Sequence, residues 1–212
     1  MKKSSLFIAI EGADGTGKST QCQLLADWIR KQSPFLEVVT CADPGSTDLG
    51  QQLRHILLNQ STTAMSMRSE TLLFMASRTQ LVDEVIRPAL DRGAVVISDR
   101  FLLSNVVYQG HAGGIDPEEI RQLGQFAVNG IMPDLTILLD ATAETLAPRR
   151  KKMADNIEKR GADFFQRVRD GFLAEAHSGQ LSIVLDATQS VENVQSKIRR
   201  LYEDHPSKPK SL

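Results

Sequence analysis

The chain has 212 residues, of which 41% are hydrophobic and 24% charged, and its net charge is −1 at neutral pH. A chain of this length buries a core without disulfide or metal staples. Its charge balance leaves no global basic field for DNA or RNA, so any anionic ligand must be held by local charge. Cys22 and Cys41 have no metal-ligand spacing and read as buried thiols in a reducing compartment. The apolar run after Met1-Lys2-Lys3 is too short for a signal core, and no later stretch approaches a membrane span. The expectation is a cytoplasmic protein with no membrane partner. It should form one domain over residues 1–204, with a polar tail at 205–212 that frays.

In chain order, Leu6–Ile10 is a short apolar run that ends in a Gly-rich turn, which predicts a buried strand. Leu24, Leu25, Trp28 and Ile29 place a helix over residues 19–31. Residues 36–40 read as a second strand, closed by Asp43-Pro44-Gly45, and residues 47–58 as a helix. Residues 69–90 carry a long helical pattern, bent or ended near Pro88. Residues 94–98 form the third strand, which stops at Asp99-Arg100. Asp116-Pro117-Glu118-Glu119 is a helix start, with Asp as N-cap and Pro at the first helical position. Residues 135–139 and 181–185 are the last two strands, with helical patterns around both. Five apolar strands alternating with helices imply a parallel sheet covered on both faces, an α/β fold.

Residues 12–19, Gly12-Ala13-Asp14-Gly15-Thr16-Gly17-Lys18-Ser19, fit the pattern G-x-x-x-x-G-K-[ST] between a strand and a helix. Small residues let backbone N–H groups converge on phosphate oxygens, and the helix N-terminus adds partial positive charge. Lys18 would reach the β- and γ-phosphates of a nucleoside triphosphate such as ATP, and the Ser19 hydroxyl would ligate Mg²⁺, with Thr20 following in the same turn. The fold implied is that of the P-loop NTPases. No Asn-Lys-x-Asp guanine signature occurs. Asp99, at the end of the third strand, is placed to hold Mg²⁺ through water, and Arg100 beside it suits a second phosphate.

Several stretches appear in the order found in the thymidylate kinases. They are Glu11–Thr20, Asp43-Pro44-Gly45, Leu73–Arg78, Asp99-Arg100-Phe101 with Ser104, Tyr108-Gln109-Gly110 and Pro133–Thr136. The chain resembles that family over about residues 5–200, and the resemblance implies transfer of the γ-phosphate of ATP to dTMP. Phe74 and Arg78, four apart, share a helical face; the ring would stack on a pyrimidine and the guanidinium donate to a base carbonyl. Without the family order, a core Phe on a Leu-rich helix is the simpler reading. The resemblance assigns Arg54 and Arg100 to the acceptor phosphate and Asp43 to the neighbourhood of the transferring phosphate. Asn105 and Gln109 are assigned to the base edge and Tyr108 to the sugar.

The resemblance also makes residues 148–160, with Arg149-Arg150-Lys151-Lys152, a mobile lid. The phosphate loop carries no Arg, which points to a bacterial-type arrangement with a lid cation, Arg149 or Arg150, at the phosphates. Two positions depart from the family pattern: Asn156 stands where an Arg is usual, and so does Ala42 before the Asp-Pro-Gly turn. Family members are usually homodimers. A kinase for another (deoxy)nucleoside monophosphate, or a nucleotide-binding regulator without transfer activity, is the alternative reading.

Overall fold

The computed structural model describes residues 5–59, 65–146, 160–177 and 183–209. The elements are β1 (Leu6–Gly12), α1 (Lys18–Gln32), β2 (Val38–Ala42), α2 (Asp48–Asn59), α3 (Met67–Leu81), α4 (Arg87–Asp91), β3 (Val95–Asp99), α5 (Leu102–Asn105), α6 (Pro117–Val128), β4 (Leu135–Asp140), α7 (Ala143–Leu146), α8 (Ala162–His177), β5 (Ile183–Asp186) and α9 (Val191–Glu203). The five strands form one parallel sheet in the order β2-β3-β1-β4-β5. Every residue of the central strand β1 is buried, whereas the edge strand β5 alternates between half-buried and exposed. A central parallel strand is covered on both faces, which is why its sequence is apolar without alternation. Leu6, Ile8 and Ile10 pack against one helical layer with Leu25, Ile29, Phe172 and Ile198. Phe7 and Ala9 face the other layer, with Val82, Ile86, Ile120 and Val128.

Strand order reverses at β1, which lies between β3 and β4, so a crevice opens beyond the carboxyl ends of these strands. Asp99 is in register with Ile10 on one side and Ala42 on the other. The phosphate loop, the Asp43-Pro44-Gly45 turn and Arg100 therefore leave the sheet at one level.

The long helix expected over residues 69–90 runs through, but with a π-helical turn at Val82–Ile86. The Arg87 N–H reaches back five residues to the Val82 carbonyl. Pro88 follows, lacking an N–H and crowding the carbonyl four residues before it, and the widened turn accommodates both effects. A second π-helical stretch, Val106–His111, carries Tyr108 and Gln109. Asp116 caps α6 by accepting from the Glu118 N–H at 2.9 Å. Residues 205–209 fold back on α9 instead of fraying: the His205 N–H donates to the Tyr202 carbonyl, and Lys208 Nζ sits 5.3 Å over the Tyr202 ring. Among the described residues, no helix is long and apolar enough to cross a membrane. Cys22 and Cys41 are buried free thiols, and burial pushes the Cys41 thiol up to about 12.

Candidate active site

β1 ends at Gly12 with φ 140°, where a Cβ would come within 2.4 Å of the Leu139 carbonyl oxygen. Only glycine allows the chain to leave the sheet there. Gly17, in the left-handed region, opens α1 with no side-chain cap and no acidic residue in the first turn. The first N–H groups of the helix thus lie toward the loop without an internal competitor for an anion. Within the loop the Ala13 carbonyl accepts from Lys18 Nζ and from the Thr16 hydroxyl, each at 2.9 Å. Burial, reinforced by Arg100, lowers the Lys18 pKa to about 8 against the opposing pull of Asp14 and Asp99. Ser19 and Thr20 are exposed at the start of α1. The Ser19 hydroxyl donates to Asp99 Oδ2 at 2.5 Å, so two hard oxygens meet beside the phosphate loop.

Arg100 adopts φ 72°, a conformation that a non-glycine residue holds at a cost of about 1–3 kcal/mol. Its backbone is tied down on both sides: its N–H donates to the Ile10 carbonyl, and its carbonyl accepts from the Ser98 hydroxyl at 2.6 Å. The guanidinium then reaches the phosphate loop. Nη1 donates to the Gly12 carbonyl and to Ser104 Oγ, both at 2.9 Å, and Nη2 donates to Asp14 Oδ1 at 2.5 Å. The Tyr108 hydroxyl donates to Asp14 Oδ2 at 3.2 Å, and its ring lies 5.1 Å from the guanidinium carbon. Burial alone would raise the Asp14 carboxyl, but Arg100 and Lys18 outweigh it and hold the group well below the usual carboxylate range.

Glu11 is a carboxylate inside a buried strand. It accepts from the Phe101 N–H at 2.8 Å and from the Ser104 hydroxyl at 2.5 Å. Burial raises its pKa to about 7 despite these bonds and the nearby Arg100. Glu11 therefore ties the end of β1 to the turn after β3. Sequence reasoning assigned it no role, although a charge that closes an apolar strand was the visible signal.

Next to the loop lies an open cleft. Phe74, Leu58 and Tyr108 supply its apolar wall; Arg54, Arg100, Arg78, Asn105 and Gln109 supply donors, and Asp14 and Asp43 acceptors. The sequence-predicted acceptor residues thus meet in one cleft. Their partners refine the expectation. Arg78 is fully buried and its Nε donates to Asp43 Oδ2 at 2.6 Å, while Nη2 donates to Asn105 Oδ1 at 2.5 Å and to the Phe101 carbonyl at 3.3 Å. Asp43 Oδ1 is buried and has no hydrogen-bond partner among the described residues. Arg54 Nη1 donates to the Pro44 carbonyl at 2.9 Å and so stands over the turn that follows Ala42. Asp14 also lines this cleft, although its position in the motif suggested only a phosphate-loop role. Arg149, Arg150 and Asn156 lie outside the described residues.

The thymidylate kinase family model matches residues 10–198. A thymidylate kinase of Symbiobacterium thermophilum is 44% identical over 202 residues, covering 94% of each chain. That of Thermosipho melanesiensis is 42% identical over 199 residues, covering 93% of this chain and 98% of the relative. The crystal structure of thymidylate kinase from Ehrlichia chaffeensis superposes with a TM-score of 0.77 at 29% identity, covering 93% of this chain and 98% of that one. With similarity over nearly its whole length, and with a cleft beside its phosphate loop, the chain belongs to the thymidylate kinase family.

Proposed function

We propose that the chain transfers the γ-phosphate of ATP to dTMP, giving ADP and dTDP. The observation that carries this reading is that Phe74, Arg78, Arg54 and Arg100 line one cleft together with Asp14 of the phosphate loop, which pairs with Lys18. A flat pyrimidine on Phe74 leaves its monophosphate to the two guanidiniums, in reach of a triphosphate held by the loop N–H groups.

Ser19 and Asp99 fit Mg²⁺, a hard cation that takes oxygen ligands. Bound there, the ion would neutralise phosphate charge. The chain's own residues do the rest. Lys18 and the α1 N-terminus hold the triphosphate. Arg100 and Arg54 orient the acceptor phosphate, and Asp43, through its ion pair with Arg78, holds the wall of the acceptor site. An oxygen of the dTMP phosphate attacks the γ-phosphorus as the bond to the β–γ bridging oxygen breaks, and ADP departs with that electron pair. The attacking oxygen is already anionic, so no strong base is needed. Positive charge in a water-poor site provides the acceleration. With no Arg in the phosphate loop, the cation meeting the transferring group comes from the basic run at residue 149 or 150.

The exposed Leu72 on α3 and Leu123 and Phe126 on α6, the last 86% exposed, supply an apolar face for a second copy in a homodimer. The enzyme works in the cytoplasm. A coupled ADP assay with dTMP, dUMP, dCMP and UMP tests the reading. Preference for dTMP is expected. ATP hydrolysis that ignores every monophosphate would overturn it.

A further inference from the structure

Glu70, on the first turn of α3, is 4% exposed and stands outside the residues that line the cleft. Its two oxygens serve different partners. Oε1 accepts from Gln109 Nε2 at 2.7 Å, and Oε2 accepts from Arg160 Nη2. Arg160 is seated with its guanidinium carbon 4.9 Å from the Phe164 ring centroid. Inward from Glu70 the bonds continue: Asn105 Nδ2 donates to Gln109 Oε1 at 2.6 Å, and Arg78 Nη2 donates to Asn105 Oδ1 at 2.5 Å.

A carboxamide keeps its shape when turned end for end, so its neighbours decide which end is the donor. Here the neighbours are unambiguous, because Arg78 only donates and a carboxylate only accepts. Between them, one arrangement satisfies every bond: both amide oxygens point toward Arg78 and both NH₂ groups toward Glu70. Each NH₂ spends one hydrogen inside the row, and Asn105 and Gln109 both line the cleft. The direction of the row therefore decides how these two amides meet whatever base enters.

We propose that Glu70, anchored by Arg160, is a positioning residue that sets the direction of the Arg78–Asn105–Gln109 row. A 4-oxo pyrimidine presents an acceptor at C4 and a donor at N3, and a 4-amino one presents the reverse, so a row held in one direction cannot pair equally with both, and holding it sets the preference for the 4-oxo base. This rests on the reading of the cleft as a pyrimidine monophosphate site. A neutral Gln at position 70 can donate as well as accept, so the row loses its fixed end. Loss of Arg160 leaves the Glu70 carboxylate without its cation, which weakens the same end.

The test is steady-state kinetics on the full chain for wild type, Glu70→Gln, Arg160→Met and Arg160→Lys. dTMP and dCMP are varied at saturating ATP, and ATP is varied at saturating dTMP. For Glu70→Gln, kcat/KM for dTMP should fall about 10- to 100-fold, mostly through KM. The preference for dTMP over dCMP should fall about tenfold or more, while the KM for ATP stays near the wild-type value. Arg160→Met should move both quantities in the same direction, and Arg160→Lys should restore them. Equal losses in kcat and in the KM for ATP would mean general damage and would overturn the proposal. So would an unchanged dTMP preference in both Glu70→Gln and Arg160→Met. Should Glu70→Gln fail to fold, Arg160→Met, at a half-buried position, carries the same readouts. A wild-type enzyme that prefers dCMP overturns the substrate reading as well; one that prefers dTMP, with variants that keep the preference, overturns this inference alone.

Discussion

Arg78 and Asp43 form an ion pair closed to water, with Nε 2.6 Å from Oδ2 and side chains 1% and 0% exposed. Burial pushes the Asp43 carboxyl up and Arg78 pulls it back. Such a pair contributes little net stability against an apolar replacement, but breaking it strands a buried charge. Asp43→Ala should therefore cost about 3–5 kcal/mol of stability. The double variant Asp43→Ala/Arg78→Met should recover much of that in urea melts while the KM for dTMP stays high. If the double variant is no more stable than the single one, the pair is not what holds this wall.

In the proposed reaction Lys18 brings positive charge to the triphosphate from within the phosphate loop. Lys18→Ala should lower kcat by about 10²–10³-fold or more. Its pKa in the free protein is about 8, depressed first by burial. Bound phosphates favour the ammonium form, so ATP affinity should be full below pH 8 and decline as pH rises above it. Calorimetry at pH 8.5 in buffers of different ionisation enthalpy should register proton uptake on binding in wild type and none in Lys18→Ala. Equal proton uptake in the two proteins would remove Lys18 from this role.

What was legible in advance follows from how local each signal is. The phosphate loop is a contiguous run whose residue types are dictated by backbone shape, so Gly12 through Ser19 could be read directly. The strands were legible as short apolar runs, uninterrupted in β1 because both of its faces are buried, although the second began two residues later than expected. Phe74, Arg78, Asn105 and Gln109 could be placed by family order. Their bonds to one another could not, since Arg78–Asp43 spans 35 residues and Glu70–Arg160 spans 90. Nor could the π-helical turns, because a pattern of spacing 3.6 does not reveal one extra residue in a turn. Asp14 was read only as part of the phosphate loop, because side-chain direction at a tight turn depends on torsions that no spacing rule encodes.

Glu11 should make stability depend on pH with a definite sign. Its pKa is raised from 4.5 to about 7, chiefly by burial. The folded state therefore binds more protons than the unfolded one between those values, and stability falls as pH rises through that window. The full cost, complete above pH 7, is about 3 kcal/mol. Glu11→Gln has no such titration. Its melting temperature relative to wild type should be higher at pH 8 than at pH 5. A difference that is flat across this range would show that the Phe101 N–H and Ser104 hydroxyl hold Glu11 ionised at no cost.

Phe74 tests the base-binding wall separately from the charges. It is 8% exposed, touches the core and lines the cleft, so its truncation has two separable effects. Phe74→Ala should lose about 3–5 kcal/mol of stability as a buried aromatic. It should also raise the KM for dTMP by a stacking loss of about 1–3 kcal/mol, roughly 5- to 150-fold. Phe74→Leu retains most of the volume but offers no ring face. Stability should therefore recover in Phe74→Leu while the KM for dTMP stays raised and the KM for ATP is unchanged. If Phe74→Leu restores both stability and dTMP affinity, the ring is a core side chain only, and the base must rest on another part of the wall, with Tyr108 the remaining aromatic there.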